Sequence, residues 1–175
     1  SEGRIDLICL ISASEMPLIA SINRMYSLLT SVTRDIISIS EGVEKELLED
    51  VDEREAEVDA LLYLVERQVS IALDSHLVAS ALKLARNQAV EHSNLATSLE
   101  RMMDHANHMA HLVQQSDFNL DSEQTPILQI SAWQKAIKNL MINIRTRNSF
   151  EIEESRQELK QSQLEIVEYE DDLIE

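Results

Sequence analysis

Residues 99–113 read LERMMDHANHMAHLV and set Glu100, Asp104, His105, His108 and His111 into an otherwise largely apolar segment. Carboxylates and imidazoles are the side chains that hold Mg, Mn, Fe or Zn ions, so the first chemistry this spacing raises is metal coordination. Taking Glu100 as zero and about 100° per residue, Asp104 falls at about 40°, His108 at about 80° and His111 at about 20°, one polar stripe along a helix. His105, at about 140°, stands off that stripe. The stretch EREAEVDALLYLVERQ (53–68) repeats the arrangement with Glu55 and Asp59, followed by Tyr63 and Glu66. In both segments the acidic pair flanks the apolar seam on the same side: Val58, Leu62, Val65 and Val69 in one, Leu99, Met103, Ala106, Ala110 and Val113 in the other.

Two carboxylates one helical turn apart repel by a few tenths of a kcal/mol, roughly, and a bound cation turns that cost into affinity. The same pattern equally describes a solvated face. A chain with 32 acidic residues contains Glu-x-x-x-Asp by chance, histidines at such positions are commonly surface residues, and Met102, Met103 and Met109 suit ordinary core filling. Spacing alone leaves both readings open.

Positioning such stripes requires long helices, and the composition supplies little else. The 175 residues are 44% hydrophobic, with 2 Gly and 2 Pro, too few turn-formers to punctuate a β-sandwich or barrel. The expected fold is all-α. A lone cysteine, Cys9, excludes an intrachain disulfide, and the absence of a long apolar run predicts no membrane span and a cytoplasmic location. The chain opens at Ser1 rather than methionine, so we expect an upstream part beyond it. A net charge of −17 argues against direct binding to a nucleic-acid backbone. With five lysines against ten arginines, it fits either a high-salt cytoplasm or an acidic protein with cationic ligands.

Caps and breakers divide the chain into five expected helices. The first runs from about Pro17, with Ser14 as a candidate cap, to about Ile37, and residues 5–12 could extend it upstream. Ser38 and Glu41 form a capping-box signature for a second helix over about 39–73. Asp74-Ser75 breaks before a third, about 76–115. The polar segment 116–126 is a linker, Thr125-Pro126 starts a fourth helix over about 126–147, and Asn148 with Glu151 caps a fifth. Short turns between long helices predict an antiparallel up-down-up three-helix bundle over 1–115, then a helical pair over 127–175.

The segment Leu99-Glu100-Arg101-Met102-Met103-Asp104-His105-Ala106 resembles the PhoU family signature, approximately L-E-R-I-G-D-H-A, departing from it at Met102-Met103. Glu55 and Asp59 match the family's second motif, an acidic residue, three others, then Asp. The surrounding EVDALLYLVERQ is similar to archaeal members, some of which carry an N-terminal AbrB-like DNA-binding domain. The resemblance implies repeated three-helix bundles. It sets Glu168-x-x-x-Asp172 against Glu55-x-x-x-Asp59, which makes the last two helices a partial second repeat. It also implies a non-enzymatic regulator of phosphate uptake and phosphate-starvation signalling that contacts a phosphate ABC transporter and a sensor kinase. Divalent, iron or zinc ions would bind through Glu55, Asp59, Glu100 and Asp104, with His108 and His105 as further candidates.

Three functions compete on this reading. The first is the metal-bearing adaptor, expected to be a homodimer because a partial second repeat leaves an apolar face. The second is a ferritin-like carboxylate-bridged metalloenzyme, which wants Glu-x-x-His pairs, and none occurs in the chain. The third is a metal-free helical interaction module. Nucleophilic hydrolysis and phosphate-loop chemistry lack their motifs.

Overall fold

The structure, a computed structural model, describes residues 17–43, 45–81, 85–115, 121, 123–146 and 148–174. Every regular element among them is helical: α1 (Leu18–Ser40), a 3-10 turn (Lys45–Leu48), α2 (Val51–Asp74), α3 (His76–Ala81), α4 (Arg86–Gln115), α5 (Ile127–Thr146) and α6 (Ser149–Ile174). The fold is all-α, as the scarcity of turn-formers requires. Ser14, Cys9 and residues 5–12 lie outside the described residues.

Two helix boundaries differ from the sequence expectation, each for a local reason. Ser38 does not open the second helix; α1 continues through it to Ser40. Gly42, at φ 94, then closes α1 as a left-handed cap. Its N–H donates to Ile39 O at 2.9 Å and that of Val43 to Ser38 O at 3.0 Å, the paired bonds of a Schellman motif. The second helix therefore starts at Val51, after the 3-10 turn, and not at 39. The expected third helix is also two elements. α4 restarts at Arg86, where the Gln88 side chain accepts from Ala85 N–H at 3.3 Å, and 82–84 lie outside the described residues. At α6 the expectation holds: Glu151 N–H donates to Asn148 Oδ1 at 3.4 Å.

The chain divides into two compact units, Ser1–Leu29 with Asp52–His105 and Thr30–Val51 with Ala106–Glu175. In the first, the i, i+3/i+4 rows of α1, α2 and α4 bury Ile22, Met25, Leu29, Val58, Val65, Leu99 and Met103, each 1% exposed or less. Burying such a side chain contributes about 1.5–3 kcal/mol. Arg24 on α1 adds a forked ion pair to Glu57 on α2, with Nε–Oε1 2.7 Å and Nη2–Oε2 2.9 Å. In the second unit Val32, Ile36, Leu48, Val51, Ala106, Ala110, Ala136 and Ile137 are buried, and α5 packs along α6. Gln134 on α5 donates to Thr33 Oγ1 on α1 at 2.7 Å. Lys45 Nζ caps α4 at Gln114 O (3.0 Å), while Gln114 Nε2 donates to Leu48 O (3.1 Å).

Candidate functional site

α2 and α4 carry the two acidic pairs within the first unit. The apolar seam fixes their orientation. Because Val58 and Val65 on α2 and Leu99 and Met103 on α4 are turned fully inward, the positions beside them lie at the edge of the packing interface. Glu55, Asp59 and Glu100 are half-buried there, and Asp104 is exposed. Met103, in the place where the signature has glycine, is itself wholly buried core.

The pairs meet electrostatically across the two helices. Partial burial raises the Glu55 carboxyl above its ordinary range, followed by the charges of Asp59 on its own helix, Asp104 on α4, and Asp52. Glu100 is raised by burial, then by Asp104 and by Asp59 across the seam, with Arg101 opposing and Glu55 adding a smaller push. Each pair thus lies in the other's field. Sequence periodicity placed each stripe on its own helix but carried no information on the register of α2 against α4.

These groups supply a dense set of oxygen donors with surplus negative charge, the chemistry that suits a hard cation. Among the described residues, however, no three His, Cys, Asp or Glu side chains already converge to hold an ion. The donor set fits a cation in kind and charge. His105 is exposed at the end of the first unit. His108 is exposed and His111 half-buried, both in the second unit. Glu168 and Asp172 are exposed on α6. Asp52 and the Arg24–Glu57 fork had no signature in the sequence. The fork joins two separate helices, whereas Asp52 acts on Glu55 from one turn away on α2 itself.

The family profile described as PhoU domain matches residues 22–113, more than half of the chain and inclusive of both acidic pairs. No curated protein and no solved structure matches. No helix among the described residues is long and apolar enough to cross a membrane.

Proposed function

The chain belongs to the PhoU domain family, and on that premise we propose that it is a non-enzymatic regulator of phosphate uptake and phosphate-starvation signalling. In this reading it is a cytoplasmic homodimer whose helical surfaces contact a phosphate ABC transporter and a sensor kinase. Glu55, Asp59, Glu100 and Asp104 hold divalent, iron or zinc ions. The observation that carries the metal reading is the two acidic pairs at one half-buried edge, where burial first and then each other's charges raise Glu55 and Glu100. A cluster of like charges at a packing edge costs stability in isolation, and a cation removes that cost. α5 and α6 stand as a partial second repeat.

Metal analysis of the full chain purified without chelator tests the site. Wild type is expected to retain metal and to melt higher when divalent ion is restored after chelation, and an Asp59→Asn/Asp104→Asn variant to do neither. Equal, negligible metal in both proteins would sink the site. The regulatory role is tested separately in cells. Deleting the gene is expected to leave phosphate uptake high in phosphate-replete medium, and uptake that stays repressed would overturn it.

A further inference from the structure

α5 and α6 enclose a cleft of about 580 Å³ within the second unit, outside the residues that the family profile matches. Its volume is within the range of about 300–1,000 Å³ usual for small-molecule sites. Acceptors outnumber donors in it. Gln129, 4% exposed, donates from Nε2 to Glu165 Oε2 at 2.9 Å and leaves its carbonyl Oε1 buried with no donor. Glu158 accepts from Lys135 Nζ through Oε1 at 3.0 Å, and its Oε2 is also buried with no donor. Glu165 accepts again from Gln161 at 3.1 Å, and its two amide donors hold the carboxyl below the usual range, hence ionised.

A buried acceptor without a donor is unfavourable, so the cleft asks for N–H groups and positive charge. The spacing narrows the ligand further. Glu158 and Glu165 are two turns apart on α6, about 10.5 Å along the helix axis, and each is engaged by a different α5 side chain, so the cleft presents two separate anionic ends. Ala132 on α5, between Gln129 and Lys135, lines the cleft between the two carboxylates with apolar surface, and Leu128 lines it at the Glu165 end. At the Glu158 end the Lys135 ammonium, on a side chain 69% exposed, already supplies the group a ligand would bring. An exposed pair of this kind contributes little to stability and is readily exchanged.

We propose that the α5–α6 cleft binds a linear aliphatic polyamine, with one terminal ammonium at Glu165 and Gln129 Oε1, methylenes along Ala132, and the other terminus at Glu158 in place of Lys135. Calorimetric titration of the full chain with octamethylenediamine, in about 0.15 M salt to screen the acidic surface, tests this. Saturable one-to-one binding is expected, weakened about tenfold by Glu165→Gln, the size of one charge-assisted hydrogen bond. Lys135→Met should tighten it by freeing Glu158, while Lys138→Met, one turn on, and Glu154→Gln leave it unchanged. Absence of saturable heat overturns the proposal. So does an equal effect of Glu154→Gln and Glu165→Gln, or of Lys135→Met and Lys138→Met, since that would be adsorption to net charge. Circular dichroism confirms that each variant is folded.

Discussion

Glu55 and Glu100 are the residues whose environment most clearly sets their chemistry. Both carboxyls are raised in the folded chain, by burial first and then by neighbouring carboxylates. A group raised on folding binds its proton more tightly in the native state. Its contribution is therefore full below the unfolded carboxylate range and is lost as pH rises through the raised value. Glu57 has the opposite sign. Its hydrogen bonds from Arg24 lower it, so its contribution is present above the unfolded range and lost as pH falls. In metal-free protein, thermal melts between about pH 4 and pH 7 should show a Glu55→Gln/Glu100→Gln variant gaining on wild type as pH rises. A gain of about 1–2 °C near pH 7 is expected, since like-charge relief is worth tenths of a kcal/mol. Melting curves that stay parallel across that range would show that the pairs do not share a field.

At the level of helices, capping and packing carry the predictions. Gly42 has no atom within 4 Å of an added Cβ, so Gly42→Ala meets no clash and its cost is the backbone at φ 94 alone. That cost is about 1–2 kcal/mol, read as a lower denaturant midpoint with unchanged slope. Asn148→Ala should cost about 1 kcal/mol through loss of the α6 cap. Met103→Ala, at a position with no exposure, should cost about 2–5 kcal/mol by leaving a cavity in the α2–α4 seam. The helix ends also show where local sequence was ambiguous. Ser38 and Glu41 have the spacing of a capping box, yet Gly42 directly after them is a stop signal, and the stop prevails. The propensity of Ser-x-x-Glu to start a helix is worth less than the continued burial of Ile36 and Ile39 on α1, 1% and 4% exposed.

For the whole chain, a net charge of −17 makes self-repulsion a general cost of folding. The melting temperature should rise with KCl from low to molar concentration as repulsion is screened. A melting temperature flat in salt would mean that local pairing already offsets the excess charge. The all-α class was legible in the sequence because it rests on counts of glycine and proline and on apolar residues repeating every three or four positions, and both are local. The identity of the acidic pairs was legible for the same reason: Glu55-x-x-x-Asp59 and Glu100-x-x-x-Asp104 occupy one helix face whatever surrounds them. Their meeting across the α2–α4 seam was not legible, and neither was the Gln129–Glu165 cleft or the Arg24–Glu57 fork. Each depends on the register between separate helices. That register is set by the packing of buried side chains such as Val58, Leu99 and Met103, a three-dimensional fit that periodicity along one helix does not encode.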